Sequence, residues 1–282
     1  MDNTRRLPPA LVDHARAFLA GDRVPVTPRG AATVVLLRDG QGGYDDRPQV
    51  YLLRRHLGMA FAAGMYAFPG GTVDERDSDS AVAWAGPSPA AWAERLECDE
   101  TQARGLVCAG ARELFEESGV LLAGRTPDEV VADTTGEDWE RERGALVDRS
   151  LAFGEFLDHR GLVLRTDLLA AWAHWITPEF EPRRYDTRFF VAAMPSGQRA
   201  RDVSGEADRV TWMRAGDALA AVDSGAMAML PPTYITLREI GDFRSVDDVW
   251  AAAAERRITT VVPGVEIDGE VGLLTLPPWA GA

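Results

Sequence analysis

The segment DETQARGLVCAGARELFEES, residues 99–118, followed by Gly119, commits the backbone to a helix with an unusual face. Asp99 can cap the N-terminus, Gln102 three residues on completes a capping-box pattern, and Gly119 can take the left-handed C′ position with Val120 packing back. Each helical residue advances by about 100°, so Glu113, Glu116 and Glu117 fall on one face. Val107, Ala111 and Leu114 fall on the flank that can pack against a sheet. Like charges at this spacing repel by a few tenths of a kcal/mol per pair. The face is therefore either an idle, water-screened surface or the seat of something positive. Three convergent carboxylates are what a hard divalent cation such as Mg²⁺ or Mn²⁺ takes as ligands. Arg112, four residues before Glu116, can orient that carboxylate.

Around this helix the pattern alternates between strand and helix. GAATVVLLRD (30–39) is β-branched and apolar and predicts a buried strand; QVYLLRR (49–55) predicts a second, across the turn-rich loop GQGGYDDRP. AFPGGTVDERDSD has the Pro-Gly-Gly punctuation of a loop, and PSPAAWAERLE predicts a short helix. Residues 127–160 are expected to be mainly helical and acidic. TRFFVAAMP and RVTWM predict later strands, and 214–223, 232–241 and SVDDVWAAAAERR predict helices, before ITTVVPG and GLLTLPPW close the chain. Leu11, Ala15 and Phe18 mark a short amphipathic helix in an opening stretch too polar for a secretory signal. No internal repeat or low-complexity linker appears. Strands at both ends with helices between fit one mixed α/β domain over 1–282.

Composition excludes several chemistries. All 30 cations are arginine, so neither a Schiff-base lysine nor a Walker-type phosphate lysine exists. A formal charge of −14 disfavours a nucleic-acid polymer or an anionic membrane as partner. Cys98 and Cys108 make no disulfide framework, so a reducing, cytoplasmic setting is expected. His14, His56, His159 and His174 lack metal-ligand spacing. No apolar run approaches the length of a membrane span.

RELFEESGV (112–120) resembles the second half of the Nudix box, R-E-U-x-E-E-x-G-U, at every defined position, and GGTVDERD supplies the opening glycine. Two departures appear. Counting from Gly71, Asp77 stands where the family has its first glutamate, and 34 residues (78–111) separate Asp77 from Arg112 where the family has seven. An insertion at about 78–105 accounts for the difference. With YLLRRHLGMAFAAGMYAFPGG before the box, and HWITPEFEPRRYDTRFF and LPPTYITLREI after it, the chain resembles the acyl-coenzyme A diphosphatase branch of the superfamily over residues 31 to 240. In that branch an arginine stands four positions before the glycine of GMYAFPGG; here Ala60 does.

The resemblance implies a Nudix fold, a mixed β-sheet sandwiched between α-helices. It implies Mg²⁺ or Mn²⁺ held by Glu113, Glu116 and Glu117, with the Gly70 carbonyl as a further ligand. Arg112 would orient the glutamates, and the general base is Glu113 or a loop acid such as Glu206. The implied reaction is hydrolysis of a diphosphate linked to a nucleoside, with coenzyme A or an acyl-coenzyme A as substrate. NADH, ADP-ribose or a nucleotide sugar is the alternative, and a non-catalytic ligand-binding regulator a more distant one. Arg54, Arg55, Arg183, Arg184 and Arg188 lie near the motif segments, and their forks suit phosphate oxygens, Arg55, Arg183 and Arg184 foremost. Trp172, Trp175 and Tyr185 either stack on a base or pack in the core. The expected partner is a small-molecule diphosphate, with a homodimer left open.

Overall fold

The computed structural model describes residues 5–40, 47–58, 62–203, 205 and 207–278. In chain order the main elements are α1 (Pro9–Leu19), β1 (Arg29–Arg38), β2 (Gln49–Arg55), β3 (Tyr66–Ala67), β4 (Gly70–Thr72) and a 3₁₀ turn (Glu75–Ser78). Next come β5 (Trp84–Ala85), α2 (Pro89–Leu96), α3 (Glu100–Ser118), β6 (Ala123–Gly124), α4 (Glu137–Val147), α5 (Phe153–His159) and β7 (Val163–Arg165). The chain continues through β8 (Ala170–Ile176), β9 (Tyr185–Ala193), β10 (Ala207–Arg214), α6 (Ala215–Asp223), α7 (Pro231–Ile240) and α8 (Val246–Glu255). It ends with β11 (Thr260–Val261), β12 (Gly264–Asp268) and β13 (Val271–Thr275).

The organising strand is β1, whose VVLL run is fully buried. One edge pairs in parallel with β9 over its whole length, from Arg29 opposite Tyr185 to Leu37 opposite Ala193. The other edge is divided. Its C-terminal end pairs with β2, Leu37 opposite Val50, and its N-terminal end with β4, Thr33 opposite Gly70. Between the two, the Pro69 carbonyl accepts from the Val34 N–H at 2.8 Å. The Pro-Gly-Gly loop is thereby pinned to the middle of the sheet. The full mixed sheet runs β10-β2-β1-β9-β8-β11.

Alternating side chains feed two cores. Ala32, Val34, Leu36 and Phe190 face the layer that holds α2 and α3; Val35, Leu37, Phe189 and Val191 face α6, α7 and α8. The fold is thus α/β, a mixed sheet between helical layers. α3 meets the sheet at Gly110, where a Cβ would sit in ordinary contact with Val34, Phe190 and Ala32 at 3.4–3.7 Å. Trp92 of α2 meets the Phe190 ring edge-on at 5.7 Å.

The predicted helix at 99–118 forms with the Asp99 carboxylate accepting from the Gln102 N–H at 2.8 Å and Gly119 at φ 71°. The insertion is folded: it supplies β5, α2 and the first turns of α3. Ser88 caps α2 and Pro89 occupies its first turn, as Pro does best where no N–H partner is needed. β5 pairs with β7 and β7 with β6, so inserted residues share a small sheet with the segment after the box. Residues 127–160 are less helical than predicted. Only 137–147 and 153–159 are helix, and before them Gln198 holds the chain by donating to the Val131 carbonyl at 2.6 Å. Removing the ring that α2 and α3 share, by Phe190→Ala, is expected to cost about 3–5 kcal/mol in urea unfolding, as large-to-small changes in a fully buried site do.

Candidate active site

The box assembles around one guanidinium. Arg112 Nε and Nη2 clamp the Asp77 carboxylate (3.0 and 2.9 Å), Nη2 also donates to the Thr72 carbonyl (3.0 Å), and Nη1 reaches Glu113 (2.8 Å) and Glu116 (3.0 Å). Asp77 side chain is 2% exposed and that of Arg112 11%. Charge-assisted hydrogen bonds join the pair, and either partner would be costly to bury alone. Burial alone would lower the Arg112 pKa, but Asp77, Glu113 and Glu116 together raise it above that of a free guanidinium. Asp77, 35 positions before Arg112, thereby stands where the first glutamate of the box was expected and closes the gap made by the insertion.

The glutamates divide between two tethers. Glu113 and Glu116 each use Oε1 on Arg112, while Glu117 Oε2 accepts from the Gly70 N–H at 2.8 Å. Gly71 lies under Glu113, where a Cβ would meet the carboxylate and push it from its place on Arg112. Burial pushes the Glu113 carboxyl up to about 7 against the pull of Arg112, and pushes Glu116 upward by the same cause. Tyr51, whose hydroxyl donates to the Arg201 carbonyl at 2.8 Å, is likewise raised, by burial first and then by Asp202 and Glu117. Arg143 steadies the helix end by donating to the Glu116 carbonyl at 2.8 Å. Asp74, Asp77, Glu113, Glu116, Arg76, Arg112 and Arg149 line a cavity of about 90 Å³.

Among the described residues no three His, Cys, Asp or Glu side chains converge closely enough to hold an ion as they stand. The donor set nonetheless suits a hard cation: Oε2 of Glu113 and Oε2 of Glu116 have no hydrogen-bond partner among the described residues, and the four carboxylates of Asp77, Glu113, Glu116 and Glu117, three of them buried, outnumber the one Arg112 guanidinium.

The chain's other predicted site residues separate. Arg184 is buried and donates to the Thr177 and Val26 carbonyls (3.0 and 2.8 Å), so it braces the loop before β9 and is not available to a phosphate. Arg188 is buried against Asp186, His174 and the Leu96 carbonyl. Arg54 pairs bidentately with Asp208 (2.6 and 2.9 Å). Arg55 is half-buried at the end of β2, and Arg183 is exposed. Trp172 and Trp175 are core residues, Trp172 donating to Glu239 at 2.9 Å; Tyr185 is half-buried at the start of β9. Glu206 and Ala60 lie outside the described residues. Asp77 was visible in the sequence only as a position. Gln198 and Arg143 carried no signal, because their partners are backbone carbonyls brought close by folding.

The model of the NUDT19 Nudix domain matches residues 99–240, half of the chain. The chain belongs to this Nudix family. It is similar to the putative nudix hydrolase 7 of Caenorhabditis elegans, 24% identical over 199 residues that cover 71% of this chain and 58% of that protein. It is also similar to the acyl-coenzyme A diphosphatase NUDT19 of Xenopus laevis, 22% identical over 235 residues covering 71% of this chain and 62% of that one. The chain therefore spans about three fifths of the length of these curated relatives. Among solved structures, a Nudix hydrolase from Alicyclobacillus acidocaldarius superimposes with a TM-score of 0.69 at 27% identity, over 80% of this chain and 96% of that one. No helix among the described residues of this chain is long and apolar enough to cross a membrane.

The Arg112 fork makes a direct prediction. Asp77→Ala leaves a buried guanidinium short of its bidentate partner and should destabilise the fold by about 3–5 kcal/mol, as breaking one side of a buried pair does. Chemical denaturation of the metal-free protein measures this. A loss below about 1 kcal/mol would show that Asp77 is not the anchor.

Proposed function

We propose that this chain hydrolyses the diphosphate bond of a nucleoside-diphosphate-linked small molecule, coenzyme A or an acyl-coenzyme A first, with Mg²⁺ or Mn²⁺. The observation that carries the reading is the set of Glu113, Glu116 and Glu117 on one face of a helix, positioned by the Arg112–Asp77 pair and Gly70, with Glu113 and Glu116 lining a polar cavity. Similarity to an acyl-coenzyme A diphosphatase supports the choice of substrate. The whole chain is taken as one Nudix unit, acting in the cytoplasm on a small molecule.

In this reading Glu113, Glu116 and Glu117 hold the ion, with the Gly70 carbonyl beside them. The ion would supply neutralisation of phosphate oxygens and a lowered pKa for a bound water. Arg112 fixes Glu113 and Glu116 so that their Oε2 atoms can serve. Glu113 is the described candidate for the general base, since its burial favours holding a proton. Glu206 remains its rival. For the 3′-phosphate that distinguishes coenzyme A from NADH and ADP-ribose, Arg183 is the remaining arginine of the EPRRY segment, its neighbour being committed to Thr177 and Val26.

A panel of coenzyme A, acyl-coenzyme A, NADH, ADP-ribose and nucleotide sugars with Mg²⁺ and Mn²⁺, products identified by mass, tests the reaction. Cleavage of coenzyme A should give 3′,5′-ADP and a phosphopantetheine fragment. Loss of the 3′-phosphate, or Arg183→Ala, should lower kcat/KM about ten- to a hundredfold, the worth of one charge-assisted contact of roughly 1.5–3 kcal/mol. Equal rates on coenzyme A and its 3′-dephospho form, or a wide preference for NADH, would remove the coenzyme A assignment.

A second measurement concerns the ion alone. Mg²⁺ or Mn²⁺ should raise Tm by mass action on the folded state. Glu117→Gln should abolish turnover and most of that shift while leaving the metal-free protein as stable or slightly more so. Gln still accepts from the Gly70 N–H, and one charge of a repelling cluster is gone. An unchanged shift in the mutant would place the ion elsewhere.

A further inference from the structure

The cavity beside the glutamates is lined by three arginines, and two are committed. Arg112 spends its donors on Asp77, Thr72, Glu113 and Glu116. Arg76 holds Asp74 through Nε and Nη2, both at 3.0 Å, and donates to the Arg149 carbonyl at 3.3 Å. The Arg149 guanidinium makes no hydrogen bond or ion pair with any described residue, although the side chain lines the cavity and its charge is felt at Glu116.

The backbone beneath Arg149 is the second observation. It sits just past the C-terminus of α4, after the cap residue Asp148, at φ 64°. Its N–H donates to the Leu146 carbonyl at 3.0 Å and the Leu151 N–H to the Ala145 carbonyl at 3.0 Å. This is the left-handed C′ position that ends many helices, where glycine is favoured because a Cβ is strained. A long side chain is carried there against the local preference, on an exposed residue at the rim of the cavity of the proposed site, with its charge acting on Glu116. A cation that only complements the helix dipole needs no such place, because positions within the last turn serve without strain.

We propose that Arg149 is a substrate-positioning residue, its guanidinium taking a phosphate oxygen of the diphosphate at the rim of the cavity that Glu113 and Glu116 line. The inference rests on the hydrolase reading above and adds a residue outside the box. It also gives the segment after α4 a function: the Arg76 contact to the Arg149 carbonyl ties the loop that follows the glycines to the residue that meets the substrate.

The test uses the full chain with inorganic pyrophosphate as the probe, by calorimetric titration in Mg²⁺, beside Tm in EDTA. Arg149→Gly should weaken pyrophosphate binding about ten- to a hundredfold, while Tm in EDTA stays level or rises because the backbone strain is relieved. Arg149→Lys, which keeps the charge, should recover part of the lost affinity. Wild-type affinity in Arg149→Gly overturns the proposal, as does a loss accompanied by a fall in Tm that Arg149→Lys does not correct. If Mg²⁺ raises the wild-type Tm and the glycine variant binds normally, only the role of Arg149 falls. If wild type neither responds to Mg²⁺ nor binds pyrophosphate, the reading of the site falls and takes Arg149 with it.

Discussion

The site depends on one guanidinium holding three carboxylates and a carbonyl. Arg112 is the point where β4, the 3₁₀ turn and α3 meet, through Thr72, Asp77 and the glutamates respectively. Buried hydrogen bonds to charged groups are worth most when every lone pair and proton is matched, and cost most when one is not. Arg112 meets that condition with all three of its nitrogens. Asp77 supplies the compensating charge from across the insertion.

The second constraint is steric. Gly70 and Gly71 lie between the Ala32 and Thr33 backbone on one side and the Glu113 and Glu117 carboxylates on the other. A Cβ at either position would overlap a neighbour. β1 makes this approach possible by giving its middle to the Pro69 carbonyl, leaving its two ends to different strands. The sheet thereby holds the loop at the height of the helix face.

An arginine-only set of cations has a structural side as well. Arg184, Arg188, Arg143 and Arg201 reach backbone carbonyls or paired acids inside the fold, where the planar fork satisfies several acceptors at once. Arg160 lies over the Trp139 ring at 3.6 Å while pairing with Asp138 at 2.9 Å and with Glu142. Three of the five arginines that the sequence offered as phosphate ligands, Arg54, Arg184 and Arg188, are likewise committed to partners within the fold.

What the sequence determined by itself was local. The helix at 100–118 and both its ends, the buried β1 run, the short helix behind Ser88-Pro89 and the alignment of Glu113, Glu116 and Glu117 all follow from spacing and capping, which act within a few residues. The family could be read from the same nine residues, because their order carries the chemistry. What only the tertiary structure decided was which distant groups meet. Asp77 finding Arg112 across 34 intervening residues, Glu117 reaching the Gly70 N–H, Arg184 turning to carbonyls and Arg149 standing free at the cavity are outcomes of chain crossings. Sequence spacing reports the period of a helix or strand. It does not report which strand edge a loop will cross, and burial, which sets the fate of each charge, is fixed only when it does.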